Sequence, residues 1–163
     1  MVKVLVAAGS KTGGTAEMAE WIANRLGSRG VEVDLMPAGS ARPKGHDAAV
    51  VGSALYAGRW RRPAVRLLKR LARSGDGMPV WLFHSGPLGD DNAEEPQKPP
   101  GTVARLAEEM GAEDVVTFGG CLDDSAGGFI ANAMKRNGME GDWRDRDQVE
   151  AWADSIADRL LNA

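Results

Sequence analysis

Six residues near the amino terminus have the composition of an anion-binding site. They lie between an apolar segment that ends at Gly9 and a helical pattern, and they are Ser10, Lys11, Thr12, Gly13, Gly14 and Thr15. The hydroxyls and the ammonium group can bind an anion, and the adjacent glycines let the backbone approach it closely. The start of the following helix adds backbone N–H groups and the positive end of the helix dipole. This segment predicts a phosphate site; the simpler interpretation is a turn whose Ser and Thr side chains only cap the helix.

Spacing argues against two better-known phosphate-binding patterns. No lysine directly follows a closing glycine, as it does in the P-loop, and the segment lacks the Gly-x-Gly-x-x-Gly of dinucleotide folds. We therefore expect neither a nucleoside triphosphate nor NAD. A phospho-receiver is also disfavoured, because Ala7-Ala8-Gly9 provides no acidic pair for magnesium.

Strand-like and helix-like segments alternate along the whole chain. The periodicity predicts strands over Val2–Ala8, Val31–Met36, Asp47–Gly52, Met78–His84 and Asp114–Cys121. Helices are predicted around Met18–Leu26, Pro63–Leu71, Val103–Met110, Phe129–Lys135 and Val149–Leu160. Since each parallel crossover needs a helix, the pattern indicates an α/β fold with a five-stranded parallel sheet covered on both faces. We expect a single domain over residues 1–163.

A ligand of such a sheet binds outside the carboxyl ends of the strands, where the strand order reverses. Three segments are therefore candidates for one site: residues 10–15, residues 52–60 and residues 81–87. The Gly- and Pro-rich segment Gly86–Gly101 is predicted to be a long exposed loop, and such loops often border sites.

The first of these segments resembles the phosphate signature of flavodoxins, in which Ser or Thr alternates around a Thr-Gly pair and ends in Thr. The other two are similar to the segments that contact the flavin ring in that family. The resemblance implies a flavodoxin-like three-layer sandwich with strand order 2-1-3-4-5 and FMN as the cofactor. It further implies that FMN contacts Ser10, Lys11, Thr12, Gly13, Gly14, Thr15, Ser53, Ala54, Leu55, Tyr56, Ala57, Gly58, Ser85, Gly86 and Pro87.

A closer resemblance is to the menaquinone-dependent branch of flavodoxin-like protoporphyrinogen oxidases. Val51–Gly58 is similar to that branch's Ile-Gly-Ala-Ser-x-x-Tyr-Gly-like loop, and Met134–Gly138 with Asp142-Trp143 is similar to its carboxyl-terminal turn. The branch is basic and aromatic after the fifth strand, whereas Leu122–Gly128 here is small and acidic. The resemblance implies an FMN oxidoreductase that passes electrons from an organic substrate to a quinone. The alternatives are a flavodoxin-type electron carrier without its own substrate and a flavodoxin-fold module that has lost FMN.

Several side chains near the predicted site could have a role in flavin chemistry. Tyr56 is the first candidate to cover a ring face and Trp60 the second, and a peptide at Ala57 or Gly58 could reorient on flavin reduction. His84 could donate a proton, although a lone histidine more often has a structural role. The remaining candidates are expected to be buried: Trp21, Trp81 and Trp152 in the core, and Cys121 on its strand.

Composition excludes several other classes of function. The formal charge of −3 gives no global attraction to nucleic acid, and no apolar run reaches the ~20 residues of a membrane span. One cysteine and two histidines cannot form the usual zinc site. We expect a cytoplasmic protein without a leader, a metal or a transmembrane segment, whose partner is a redox protein, a quinone or a small-molecule electron donor. Arg59, Arg61 and Arg62 open a basic cluster that is either a solvated helix face or a docking patch for carboxylates.

Overall fold

The computed structural model describes residues 1–9, 13–56, 59–74, 77–86, 99–119, 121–122, 141–142 and 145–162. The strands are β1 (Lys3–Gly9), β2 (Glu32–Pro37), β3 (Ala48–Tyr56), β4 (Arg59–Trp60), β5 (Val80–Gly86), β6 (Asp114–Gly119), β7 (Cys121–Leu122) and β8 (Gly141–Asp142). The helices are α1 (Gly14–Ser28), α2 (Arg62–Ser74), α3 (Gly101–Met110) and α4 (Arg146–Leu161), with a short 3₁₀ helix at Ala38–Ser40.

The main sheet has the order β2-β1-β3-β5-β6, and these strands are all parallel. The short strand β4 pairs antiparallel with β3, off this path. Counted without β4, the parallel strands follow the order 2-1-3-4-5, as the resemblance to flavodoxins implied. The chain leaves β1 for β2 on one side and returns to β3 on the other. The strand order therefore reverses at β1 and β3.

Helices cover both faces of this sheet. Alternate residues of β1 point to opposite sides, so that Val4 and Val6 join one core and Leu5 and Ala7 the other. The first core is completed by α1 and α4, and the second by α2 and α3. Each fully buried large aliphatic side chain contributes about 1.5–3 kcal/mol through the hydrophobic effect. This arrangement is the predicted three-layer sandwich.

The predicted core tryptophans lie where the periodicity placed them. Trp81 is buried, and Trp21 and Trp152 are partly buried against the first core. The Trp152 ring packs edge-on against Phe118, with ring centroids 5.5 Å apart, and against Phe83, with centroids 5.9 Å apart. Through these contacts α4 packs against β5 and β6 of the sheet.

Ion pairs join the outer surfaces of α1 and α4. Arg25 Nε donates to Asp154 at 2.9 Å, and Arg29 Nη1 donates to the same carboxylate at 3.0 Å. The hydrogen bond from Arg25 is the main reason why the pKa of Asp154 lies below its ordinary value. The two helices are thus held together both by their buried faces and by this carboxylate.

Some predicted boundaries were wrong. The third strand does not end at Gly52 but continues to Tyr56, and the fifth ends at Gly119 rather than at Cys121. Cys121–Leu122 instead pairs antiparallel with Gly141–Asp142 in a separate two-stranded sheet. The predicted helix Phe129–Lys135 and most of the predicted loop Gly86–Gly101 lie outside the described residues.

Within the described ranges, no helix is long and apolar enough to cross a membrane. Among the same residues, no group of His, Cys, Asp and Glu side chains is arranged to hold a metal ion.

Candidate cofactor site

The carboxyl ends of β1, β3 and β5 lie side by side at the edge of the sheet where the strand order reverses. In the pairing register, Gly9 of β1 lies opposite Ser53 of β3. On the other side of β3, Ala54 lies opposite Ser85 of β5. The ends of three segments that are far apart in the sequence therefore come together, as the site prediction requires.

The amino terminus of α1 follows β1 and is shaped by a glycine. Gly13 has a φ of 88°, in the left-handed region that side chains rarely adopt, and helix α1 begins at Gly14. Among the described residues, and apart from its chain neighbours, no atom lies within 4 Å of a Cβ atom built at Gly13. No described side chain caps this helix end, and first-turn N–H groups have no partner within a helix. This helix end can receive an anion.

The predicted phosphate segment is only partly described. Ser10, Lys11 and Thr12 lie outside the described residues. Gly14 and Thr15 were expected in the loop, but both belong to the first turn of α1. The helix begins there because the left-handed Gly13 turns the chain directly into it.

The Thr15 and Ser85 side chains link the start of α1 to the end of β5. Their hydroxyl oxygens lie 2.8 Å apart, and the side chains are 2% and 6% exposed. Each buried hydroxyl therefore has the other as a hydrogen-bond partner, which spares it the cost of burial without one. The sequence placed both residues at the site but could not show this contact, which joins residues 70 positions apart.

Ser53 fixes the beginning of α2 relative to β3. Its buried Oγ accepts a hydrogen bond from the Arg61 backbone N–H at 2.9 Å and donates one to the Ala54 carbonyl at 2.9 Å. Its side chain is thus committed to the protein framework.

The predicted ring-contacting loop at residues 53–56 is strand instead. Leu55 pairs with Trp60 and Tyr56 with Arg59 in an antiparallel register, so β3 and β4 form a hairpin. This pairing and the pairing of Ala54 with β5 satisfy backbone groups that a loop would expose. Ala57, Gly58 and the Tyr56 side chain lie outside what the structure describes. Ser85 and Gly86 likewise belong to β5 rather than to a loop, and Pro87 lies outside the described residues.

The indole of Trp60 is buried and does not have the exposed position needed to cover a cofactor ring. It is 5% exposed, and its Nε1 donates to His84 Nδ1 at 3.2 Å. Since an indole only donates, Nδ1 of His84 is the acceptor and the neutral ring carries its proton on Nε2. That nitrogen lies 2.7 Å from Thr117 Oγ1. Both nitrogens of His84 are engaged by protein groups, which favours the structural role over the proton donor.

Two glycines allow close packing beside the site, a role that the sequence pattern did not assign to them. A Cβ atom at Gly9 would lie 2.9 Å from Ala64 Cβ, so this glycine lets α2 approach the end of β1. A Cβ atom at Gly52 would overlap the buried Phe83 ring, which lies directly over this glycine. The only available signal was a glycine near the end of an apolar strand.

A family model described as a flavodoxin domain matches residues 5–147. The chain belongs to the flavodoxin family. Members of this family are FMN-binding flavoproteins that transfer electrons to redox partners. No curated protein sequence matches the chain.

Solved structures of flavodoxins share the fold over almost the whole length of the chain. A flavodoxin from the domain Archaea is 19% identical, with a TM-score of 0.67 and coverage of 98% of this chain and 99% of the other. A mutant of the flavodoxin from Pseudomonas aeruginosa is 18% identical, with a TM-score of 0.66 and the same two coverages, 98% and 99%. A rubredoxin oxygen:oxidoreductase from Desulfovibrio gigas is 16% identical, with a TM-score of 0.65. The match covers 98% of this chain and 36% of the other.

Proposed function

We propose that this flavodoxin-family chain binds FMN at the carboxyl ends of β1, β3 and β5 and transfers electrons between redox partners. The observation that carries the proposal is the convergence of the three segments. The register places Gly9 beside Ser53 and Ala54 beside Ser85. The Thr15–Ser85 hydrogen bond joins the start of α1 to the same edge.

The residues at this edge fit the parts of FMN. Residues 10–15 supply hydroxyls, an ammonium group and the helix end for the phosphate. Residues 53–58 and 85–87 are small or apolar apart from Tyr56, which suits a flat and largely apolar ring. FMN itself carries electrons when it is bound, and the protein positions it and sets its surroundings.

A binding titration tests the phosphate segment directly. Thr12→Ala removes one hydroxyl and Gly13→Val disturbs the left-handed turn. A hydrogen bond to a charged group contributes about 1.5–3 kcal/mol, so Thr12→Ala should weaken FMN binding by about tenfold or more. Gly13→Val should weaken it further, because a β-branched residue disfavours a φ of 88°. Fluorescence quenching of FMN on binding gives each Kd.

Matched controls separate the local effect from general destabilisation. Gly45 has the same φ of 88° and equally open surroundings, so Gly45→Val introduces the same strain elsewhere. Thr102 is exposed on α3, and Thr102→Ala removes a hydroxyl there. Both controls should bind FMN as the wild type does. Undiminished binding in Thr12→Ala and Gly13→Val would overturn the phosphate assignment, and a wild-type protein that does not bind FMN would favour a module that has lost it.

The second candidate is an enzyme of the protoporphyrinogen oxidase type. The resemblance at Val51–Gly58 and at Met134–Gly138 favours it, and arginines beside the site suit the carboxylates of a porphyrinogen. In this reaction the porphyrinogen loses electrons and protons, and a quinone takes them up. The FMN-loaded protein, mixed anaerobically with protoporphyrinogen and a menaquinone analogue, should then form fluorescent porphyrin in proportion to the quinone reduced. Fast exchange with a redox protein without porphyrin formation would identify a carrier.

A further inference from the structure

One segment of this chain carries a strong net positive charge. Residues 48–75 contain seven basic side chains and no acidic one: Arg59, Arg61, Arg62, Arg66, Lys69, Arg70 and Arg73. The rest of the chain has the remaining 13 basic side chains against all 23 acidic ones. The net charge of −3 is therefore the sum of a strongly basic segment and an acidic remainder.

Helix α2 displays most of these charges on its outer face. Its inner face buries Ala64, Leu67, Leu68 and Leu71 in the second core. Its exposed basic side chains are Arg62, Arg66, Lys69, Arg70 and Arg73. Because the alanine and the three leucines of the inner face are buried, the exposed basic side chains extend along the whole length of α2, about 20 Å.

These cations differ from those on the other side of the sheet. Arg25, Arg29, Arg146 and Arg159 each lie within ion-pair distance of an Asp or Glu side chain. Among the described residues, no carboxylate forms an ion pair with the basic side chains of α2. Arg70 donates to the Ala41 carbonyl at 3.3 Å, and a carbonyl carries no formal charge to balance the guanidinium. Within the described ranges, the arginines of α1 and α4 have carboxylate partners and the basic side chains of α2 have none.

The basic surface extends onto the neighbouring helix. A groove of about 230 Å³ between α2 and α3 is lined by Lys69, Ala72, Arg73, Arg105, Leu106 and Glu109. Three cationic side chains face a single carboxylate there. Such a groove can receive carboxylate side chains from another molecule.

The same surface begins at the proposed cofactor site. Arg61 precedes α2, and its backbone N–H is hydrogen-bonded to Ser53. Its Cβ would lie 3.3 Å from a Cβ atom at Gly9, the last residue of β1. A molecule bound along α2 would therefore lie next to the edge where we place the flavin.

We propose that the basic face, defined as the outer surface of α2 with Arg105 of α3, docks an acidic redox protein beside the flavin. This proposal rests on the proposed FMN site. Six of the seven cations in residues 48–75 are arginines, which bind carboxylates through two parallel hydrogen bonds. One electron would leave the reduced centre of the partner and be taken up by the flavin.

An acidic protein suits this surface better than a membrane or a nucleic acid. The leucines of α2 are buried, so the face offers nothing to insert among lipids. Trp60, the aromatic side chain that the structure describes in residues 48–75, is buried too and cannot stack on a base. The net charge of −3 also disfavours binding to an extended polyanion. A compact acidic patch can contact the basic face without approaching the acidic remainder.

Electron transfer from an acidic [2Fe–2S] ferredoxin tests the proposal. The reduced ferredoxin is mixed with the FMN-loaded protein in a stopped-flow instrument at several salt concentrations. Electrostatic steering raises association rates by about 10–10³. We therefore expect Arg66→Glu/Lys69→Glu to lower the second-order rate constant by about tenfold or more at low salt, and to abolish its fall with added salt.

The control variant changes the net charge equally on the opposite face of the sheet. Arg146→Glu/Arg159→Glu alters two exposed arginines of α4, and it should react within about twofold of the wild-type rate if position matters more than net charge. Equal rates for wild type and the α2 variant, or equal losses in both variants, would overturn the docking face.

Separate measurements distinguish a failure of docking from a failure of the FMN site. The Kd for FMN should be the same in all three proteins, because no substituted residue belongs to the proposed site. If the wild type does not bind FMN, calorimetric titration with ferredoxin still reports docking. Binding lost only in the α2 variant supports the basic face, and equal binding refutes it. Tighter binding to anionic vesicles or duplex DNA than to ferredoxin at the same salt would refute the choice of a protein partner.

Discussion

Replacing Gly9 by alanine should disturb the contact between β1 and α2 beside the proposed flavin site. The added Cβ would lie 2.9 Å from Ala64 Cβ, whereas carbon atoms in packed cores are separated by about 3.5–4.0 Å. Ala64 is fully buried, so α2 must move outward by roughly 0.5–1 Å to accept the methyl group.

The expected loss of stability follows from two opposing effects. Overpacking by such a group typically costs about 1–3 kcal/mol. The φ of Gly9 is not in the left-handed region, so alanine can adopt the same backbone conformation. Alanine also reduces the conformational freedom of the unfolded chain, which stabilises the folded state by about 0.4–1 kcal/mol. We expect Gly9→Ala to lower the free energy of unfolding by about 1–2 kcal/mol.

Ala64→Gly removes the atom that the new methyl group would strike. This change alone should cost about 1 kcal/mol, because glycine is unfavourable within a helix. In the double variant the clash is absent. Its loss of unfolding free energy should therefore be smaller than the sum of the two single losses by about 1–2 kcal/mol. The FMN affinity, weakened in Gly9→Ala by the displaced helix, should recover in the double variant.

Urea unfolding of the four proteins, followed by circular dichroism, measures this coupling. Gly27→Ala serves as a control, since a Cβ atom there meets nothing within 4 Å and the residue lies within α1. That variant should be more stable than the wild type by up to about 1 kcal/mol. Additive effects of Gly9→Ala and Ala64→Gly would refute the inferred close contact.

Two further predictions concern the core and the ion pairs. Gly52→Ala should lower the free energy of unfolding by about 3 kcal/mol or more, because the new Cβ would overlap the buried Phe83 ring. A variant that unfolds at the same urea concentration as the wild type would contradict this. Asp154→Asn should lower the melting temperature at neutral pH, since the hydrogen bond from Arg25 depresses the pKa of Asp154 in the folded state. This stabilisation is fully present above the pKa of Asp154 in the unfolded chain, near 3.8, and is lost as the pH falls through its lower pKa in the folded protein. The melting temperatures of the wild type and of Asp154→Asn should therefore converge in acid.

The class of fold was predictable from local sequence, whereas the strand order followed only from the resemblance to flavodoxins. Each parallel strand is an apolar segment followed by an amphipathic helix, and this pattern fixes the class of fold. The glycines and hydroxyls at residues 9–15 mark the phosphate segment without any knowledge of tertiary contacts. The three segments then meet because carboxyl ends of parallel strands share one edge.

Features that depend on distant partners were not predictable in this way. Ser53 and Ala54 have the composition of a loop, but β5 and the α2 terminus provide the partners that hold them in a strand. Trp60 ends the second predicted flavin segment and was a candidate to cover a ring face, yet its indole donates to His84 in the core. The pairing of Cys121 with Asp142 likewise joins residues separated by a long stretch of chain.

Equilibrium titration of the purified chain with FMN tests the central claim most directly. We predict saturable quenching of the flavin fluorescence at one FMN per chain, weakened in Gly13→Val and unchanged in Gly45→Val. Absence of binding by the wild type, or equal binding by both glycine variants, would contradict an FMN phosphate site at the start of α1.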